Sequence, residues 1–156
     1  MNVFTRLSKL VGLLLICFFN LVGVALAQSS IWTNPITGTN PNLSNPYTTG
    51  DVKNANISVS GIGRGSGATG ASATDRYSAN SWNTTSIDLT AYFEFTLTPN
   101  AGYKINFSNF VYTGQASGTG PLSFAFRTDK DGYTANIGSP TAPGTTIDLS
   151  PSLYQN

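Results

Sequence analysis

Large apolar and polar residues alternate with a period of two along three segments, 92–98, 103–108 and 122–127. This spacing is typical of β-strands that place one face on a core and the other in water. Weaker strand patterns cover 56–60, 110–113, 133–137 and 145–149. We expect the core to contain six apolar residues of the alternating segments: Phe93, Phe95, Leu97, Ile105, Phe107 and Phe124.

Turn-forming residues separate these strands. The segment 99–102 (PNAG) predicts a tight hairpin between the first two strands, and the Gly-rich segment 114–121 predicts a looser connection. The composition of 33–51 indicates an irregular loop, and that of 61–70 a flexible one. Short strands at regular spacing predict an all-β fold, an antiparallel two-sheet β-sandwich.

The N-terminal segment has the features of an export signal. Arg6 and Lys9 precede an apolar run over 10–24, and small residues at Ala25 and Ala27 precede Gln28. This order predicts a signal helix over 1–27, cleaved after Ala27, and a single mature module over 28–156. The apolar run is short for an uncleaved anchor.

Cys17 raises a second possibility, attachment of a lipid. Such sites have a small residue before the cysteine, whereas here Ile16 stands there. We therefore interpret Cys17 as an apolar residue of the signal, with a lipoprotein as the minor alternative.

Composition excludes several kinds of chemistry after residue 28. That part of the chain contains neither cysteine nor histidine, so disulfides, the usual Ser-His-Asp triad and zinc sites with His or Cys ligands cannot form. Its six Lys and Arg residues against seven Asp and Glu residues give a net charge near −1. No basic stripe follows a phosphate backbone, so nucleic-acid binding is not expected. No membrane span is expected after cleavage.

The segment Gly65–Gly70 (GSGATG) formally matches the three-glycine dinucleotide fingerprint. That chemistry requires a helix directly after the glycines, so that backbone amides meet the pyrophosphate. Residues 71–81 show no apolar helical face. We therefore interpret the match as a loop.

Aromatic residues offer a possible sugar-stacking platform. Tyr77 and Trp82 have polar neighbours, Arg76 and Asn83, that could hydrogen-bond sugar hydroxyls. The alternative is that these aromatic rings fill the core, which is their commoner role.

Acidic residues suggest two further options. Asp129 and Asp131 could attract Ca²⁺, although the other ligands of a calcium loop are missing and a turn with left-handed Gly132 explains the same residues. A glycoside hydrolase would need paired carboxylates from these residues and Glu94, which the alternation places on a solvated strand face. No other cofactor is expected.

Several pieces in order, YFEFTLTP at 92–99, Gly102-Tyr103, Gly120-Pro121, FAFRTDKDGY at 124–133 and DLS at 148–150, together resemble a recurrent secreted module of Bacteroidota. Proteins with this module often end in a type IX secretion sorting domain. The resemblance covers about residues 31–150 and implies a non-catalytic, jelly-roll-like β-sandwich without an assigned ligand. Members continue past the DLS position with further strands, so we expect this chain to be a fragment that lacks the last strands.

We therefore expect a secreted or cell-surface protein, exported by a Sec-type route, that serves adhesion, display or spacing without catalysis. Its expected partners are extracellular polysaccharide or a cell-surface protein. A carbohydrate-binding module is the alternative, and a carboxylate-dependent glycoside hydrolase is the weaker one.

Overall fold

The chain forms short antiparallel strands, which confirms the all-β prediction. A computed structural model describes residues 29–82, 86–118, 120–121, 124–140 and 146–149. Within these ranges there is no α-helix, and the helical turns are two 3-10 segments, Pro41–Leu43 and Asp129–Asp131. The strands are β1 (Trp32–Thr33), β2 (Val52–Lys53), β3 (Ile57–Val59), β4 (Gly63–Arg64), β5 (Thr69–Ala71), β6 (Ser78–Asn80), β7 (Phe93–Glu94), β8 (Leu97–Pro99), β9 (Asn109–Val111) and β10 (Thr146–Asp148).

The longest continuous pairing joins residues 57–67 to residues 90–100, and we call it the bulged ribbon. Strand β3 pairs with β8 and β4 pairs with β7. Backbone hydrogen bonds of 2.8–3.1 Å extend the ladder, from the amides of Ser60, Gly65 and Gly67 to carbonyls of the partner segment. The other pairs are β1 with β2, β5 with β6 and β9 with β10.

A β-bulge interrupts the ribbon between its two strand pairs. Val59 lies opposite Leu97 and Gly63 lies opposite Glu94, so the first strand contains one residue more than the second across this interval. Gly61 and Ile62 together face Phe95. Ile62 turns its backbone away and exchanges hydrogen bonds of 2.8 and 2.9 Å with Tyr47.

Glycine is required at the bulge for two reasons. Gly61 has φ of +80°, and a Cβ atom there would lie 2.5 Å from the Tyr47 carbonyl oxygen. The hydroxyl of Ser60 restores the ladder beside it, because it accepts a hydrogen bond from the Thr96 amide at 2.8 Å. The bulge therefore joins the ribbon to the Tyr47 segment.

The ribbon has an aromatic inner face. Phe95 packs against Trp32 and Phe110 at ring-centre distances of 4.8 and 5.1 Å. Phe93, on the same face, packs against Tyr77 at 5.3 Å. Further ring contacts run from Phe110 through a cluster formed by Tyr112, Phe124 and Phe126.

Exposed side chains occupy the outer face of the ribbon. On the second strand they are Tyr92, Glu94, Thr96 and Thr98, which alternate with the inner-face residues. The predicted inward and outward sides of the segment 92–98 are thus the observed ones. The strand itself is divided into β7 and β8, because the bulge disrupts the pairing around Phe95.

The predicted core is correct only in part. Ile105 is buried, whereas Phe95, Leu97, Phe107 and Phe124 are half-buried. The prediction is wrong for Phe93, which is 44% exposed because it lies where the inner face ends. Besides Pro41 and several glycines, the buried apolar residues of the described ranges are Tyr47, Ile57, Ala68, Tyr77, Ile105 and Ile147.

Several strand predictions need correction. The turn at 99–102 forms, with Gly102 at φ of +85° and a hydrogen bond from the Tyr103 amide to the Asn100 carbonyl. The expected hairpin does not form, because β8 pairs with β3 and residues 103–108 contain no strand. Of the segment 122–127, residues 122–123 lie outside the described residues and Phe126 forms a single bridge with Ile137.

The weaker patterns at 56–60, 110–113 and 145–149 correspond to β3, β9 and β10. The pattern at 133–137 does not give a strand. The Asp131 carboxylate accepts hydrogen bonds from the amides of Thr134 and Ala135, which curls the chain there.

The prediction of a flexible loop over 61–70 is wrong. This segment contains β4 and the first residues of β5, and Gly61, Gly63, Gly65 and Ala68 are buried. Gly70 and Ala71 belong to β5, and no helix follows them over 72–82, so the three glycines do not precede a helix. The segment 33–51 is irregular, as predicted, although Asn42 and Tyr47 are buried in it.

Candidate functional site

Tyr77, one member of the predicted sugar platform, lies in the interior of the fold. Its side chain is 7% exposed, and its ring contacts those of Tyr47 and Phe93. Its hydroxyl donates a hydrogen bond to Asn45 Oδ1 at 2.8 Å and accepts one from Arg64 Nη1 at 3.2 Å. A ring covered in this way offers no face for a sugar, so Tyr77 has the core position that we weighed as the alternative.

The surroundings of Tyr77 keep its proton in place. Burial raises the pKa of the hydroxyl above its ordinary value of 10.0, and the charge and hydrogen bond of Arg64 partly oppose that rise. The Arg64 guanidinium lies 5.6 Å from the centre of the Tyr77 ring and also donates to the Asn42 carbonyl at 3.0 Å. The neutral hydroxyl can therefore remain the donor to Asn45 at physiological pH.

Trp82, the second aromatic of the predicted platform, is half-buried. Its indole Nε1 donates a 2.7 Å hydrogen bond to the Ala79 carbonyl, which fixes the ring at the end of β6. The ring meets Phe93 edge-to-face, with centres 5.1 Å apart. Trp82 and Phe93 therefore form a fixed and partly accessible aromatic pair.

One predicted polar companion, Arg76, does not join this pair. Arg76 is exposed and donates from Nη1 to Gln115 Oε1 at 2.7 Å. Asn83 lies outside the described residues, as do the signal residues Ala25, Ala27 and Gln28. Of the four predicted platform residues, the structure connects Tyr77 and Trp82, and it does so through Phe93.

The acidic pair at 129–131 forms a capped turn. Asp129 and Asp131 lie in the second 3-10 segment, which ends at Gly132 with φ of +69°. The two Asp131 oxygens accept hydrogen bonds from the amides of Thr134 and Ala135. Within the ranges that the structure describes, no three His, Cys, Asp or Glu side chains come together where a metal ion could bind.

A polar cleft of about 350 Å³ lies on the ribbon beside Gly63. Ser60, Gly63 and Arg64 of the first ribbon strand line it. Glu94 and Thr96 line it on one side, and Asn45 and Pro46 on the other. Glycine leaves this space open, because a Cβ atom at Gly63 would lie 3.5 Å from both Asn45 Oδ1 and Glu94 Cγ.

Some polar side chains around this cleft are already hydrogen-bonded to the protein, and others are not. Asn45 forms a two-way contact with the Arg64 backbone, accepting from its amide at 2.9 Å and donating to its carbonyl at 3.3 Å. Ser60 accepts from the Thr96 amide and donates to the Gly61 carbonyl. Among the described residues, the Glu94 carboxylate and the Thr96 hydroxyl have no such partner.

Comparison with known proteins finds no matching family model, curated protein or solved structure. No helix in the described ranges is long and apolar enough to cross a bilayer.

The alternation of 92–98 predicts the exposed position of Glu94 correctly, but the cleft beside it is not among the predicted sites. The glycines across from Glu94 had indicated a loop, whereas they belong to the ribbon. The informative signal was their spacing, because Gly63, Gly65 and Gly67 recur with the same period of two as a strand face.

Proposed function

We propose that the chain is an exported, non-catalytic β-sandwich module that serves adhesion, display or spacing in an extracellular protein. The observation that carries the proposal is the division of the bulged ribbon into an aromatic inner face and an exposed polar outer face. One apolar face is what a strand layer contributes to a sandwich or jelly roll. The outer face then remains available for contact with a partner.

Export can be tested on the full chain expressed in a Gram-negative host. We expect the exported protein to begin at Gln28, because the small side chains of Ala25 and Ala27 fit the peptidase. N-terminal sequencing measures this directly. Ala27→Asp should block cleavage, with Ser29→Asp, two residues beyond the site, as the control. A protein that stays in the cytosol with Met1 or Asn2 at its start contradicts the proposal.

Carbohydrate binding is the second candidate function, favoured by the partly accessible pair of Trp82 and Phe93. The fixed indole resembles a stacking platform because its ring orientation is set before any ligand arrives. Trp82→Ala should weaken retention of the exported protein on a polysaccharide gel while the circular dichroism spectrum is unchanged. Retention unchanged by that substitution contradicts a role for Trp82.

A further inference from the structure

The outer face of the ribbon carries a second arrangement that suits a sugar, and it lies on the side opposite Trp82 and Phe93. We propose that Tyr92, Glu94 and Thr96, together with the cleft at Gly63, bind a neutral pyranose-containing polysaccharide. This proposal rests on the carbohydrate-binding candidate above and gives it a different site.

Three glycines form the base of this surface. Gly63, Gly65 and Gly67 lie on the outer face of the first ribbon strand, across from Glu94, Tyr92 and Thr90. Because they carry no side chains, the side chains of the second strand can lie across them. A Cβ atom at Gly65 would lie 2.6 Å from the Tyr92 ring, so the ring rests directly on the glycine backbone.

Support from the glycine backbone gives Tyr92 a defined position although it is an outer-face residue. Its side chain is 39% exposed, so part of the ring remains accessible. An aromatic ring held in place offers the apolar surface on which the C–H face of a pyranose can stack. Residues two apart on one strand face lie about 7 Å from each other, so Tyr92 and Glu94 are close enough to contact one sugar unit.

Glu94 and Thr96 supply the polar contacts. Within the part of the chain that the structure describes, neither the carboxylate of Glu94, the hydroxyl of Thr96 nor the hydroxyl of Tyr92 makes a hydrogen bond to the protein. A carboxylate accepts hydrogen bonds from two neighbouring sugar hydroxyls, and a threonine hydroxyl can donate or accept. The row from Tyr92 to Thr96 is about 13 Å long, which suits more than one sugar unit.

The side chains that line the cleft are held in place, which favours binding further. Asn45 and Ser60 are held by hydrogen bonds to the backbone, so the walls of the cleft are set before a ligand arrives. Pro46 adds a rigid ring at the edge of the same cleft. A preformed site loses less conformational entropy on binding than a mobile one.

The charge of the site should favour neutral polysaccharides over acidic ones. Two charged residues, Glu94 and Arg64, line the cleft. The Arg64 guanidinium is turned to the inner side, where it donates to the Asn42 carbonyl and the Tyr77 hydroxyl. The exposed negative charge of Glu94 therefore acts on the ligand and repels uronates and sulfated sugars. We therefore expect neutral polymers to bind better than acidic ones, and the preference to decrease when Glu94 becomes glutamine.

Affinity electrophoresis of the exported full chain tests the proposal, with xylan, galactomannan, mixed-linkage β-glucan and polygalacturonate in separate gels. We expect at least one neutral polymer to retard the protein more than polygalacturonate does. Glu94→Gln and Tyr92→Ala should each weaken that affinity about ten-fold or more. The first removes the charge and one of the two acceptor oxygens, and the second removes the stacking ring. Thr98→Val, on the same face one position beyond the cleft, should leave it unchanged.

Each outcome decides the matter, provided that thermal unfolding shows the variants to be folded. No retardation in any of the four gels overturns both the site and the carbohydrate-binding function. Retardation that Glu94→Gln and Tyr92→Ala leave intact overturns the site alone, and loss in Trp82→Ala then places binding on the opposite face. Equal loss in Thr98→Val, or stronger binding of polygalacturonate than of the neutral polymers, also overturns the proposed site.

Discussion

The two faces of the bulged ribbon are made by adjacent residues but depend on different physical effects. Phe93 and Glu94 are neighbours in β7, and one contacts a row of aromatic rings while the other lies exposed over a glycine. The inner face contributes stability through burial of apolar surface. Exposed side chains such as those of the outer face contribute little to stability, and in our proposal they serve recognition.

The bulge keeps both faces in place, and its loss should have the largest effect. Gly61→Ala must place a Cβ atom 2.5 Å from the Tyr47 carbonyl in a left-handed backbone conformation. Backbone strain and overpacking each cost about 1–3 kcal/mol, so we expect the free energy of unfolding to fall by about 4 kcal/mol. Urea unfolding followed by circular dichroism measures the change.

Gly102 is the matched control for this experiment. Its φ of +85° is similar, but nothing lies within 4 Å of a Cβ atom there. Gly102→Ala should therefore cost only the conformational part, about 1 kcal/mol. Equal losses for the two variants would show that the contact with Tyr47 does not hold the bulge.

A pair of substitutions at adjacent positions compares the faces directly. Phe95→Ala removes a ring that packs against Trp32 and Phe110, and we expect a loss of about 2–3 kcal/mol because the ring is half-buried. Thr96→Ala removes an exposed hydroxyl and methyl group and should change the free energy of unfolding by less than about 0.5 kcal/mol. Denaturant unfolding of both variants tests the difference. A large loss of stability in Thr96→Ala would contradict the inference that the inner face supplies most of the stability.

Alternation indicates which way the side chains of the ribbon point, and this part of the structure could be predicted. Phe95 and Leu97 face inwards and Glu94 and Thr96 face outwards, as a period of two requires. The pattern does not indicate partners, because strand pairing depends on contacts far apart in sequence. Thus β8 pairs with β3, some 40 residues earlier, and not with the segment after the adjacent turn.

The candidate site could be predicted less well, because glycine has two opposite meanings in a sequence. In a loop it supplies flexibility, and in a strand it lets another group approach the backbone. The side chains that lie over Gly63 and Gly65 distinguish the two, and they belong to Asn45, Glu94 and Tyr92, which are distant in the sequence. Tyr77 was equally ambiguous, since core aromatics and binding aromatics are the same residue types.

The hydroxyl of Tyr77 should make the stability of the fold decrease at alkaline pH. Tyr77→Phe removes its hydrogen bonds to Asn45 and Arg64 and should lower the free energy of unfolding at neutral pH by about 1–2 kcal/mol. Because the pKa of the hydroxyl is raised in the folded state, its contribution is complete below about pH 10 and is lost as the pH rises through the folded value.

Unfolding by urea at increasing alkaline pH measures this contribution. The wild-type protein should lose its advantage over Tyr77→Phe above about pH 10. Tyr103→Phe is the control, because Tyr103 is 53% exposed. An advantage over Tyr77→Phe that does not change with pH would contradict the coupling between the proton of Tyr77 and folding.

Asp88, near the start of the outer face, should make stability depend on acidic pH. The change in the free energy of unfolding should be smaller than those predicted for Gly61, Phe95 and Tyr77. Its carboxylate accepts hydrogen bonds from the amide and the hydroxyl of Thr90, at 2.8 and 2.7 Å, and these bonds lower its pKa below 3.8. A lowered pKa in the folded state gives stability that is present above the unfolded value and lost as the pH falls through the folded one. Asp88→Asn should therefore be slightly less stable than the wild type at about pH 6 and equal to it at about pH 2.5.

The control is Asp129→Asn, which also removes one negative charge but lies in a turn away from the ribbon. The chain has no histidine, so no imidazole titrates in the same pH range. If the difference in the free energy of unfolding between wild type and Asp88→Asn persists at about pH 2.5, the ionised carboxylate is not its cause. The stability of the outer face would then not depend on acidic pH through Asp88, in contrast to the dependence of the inner face on alkaline pH through Tyr77.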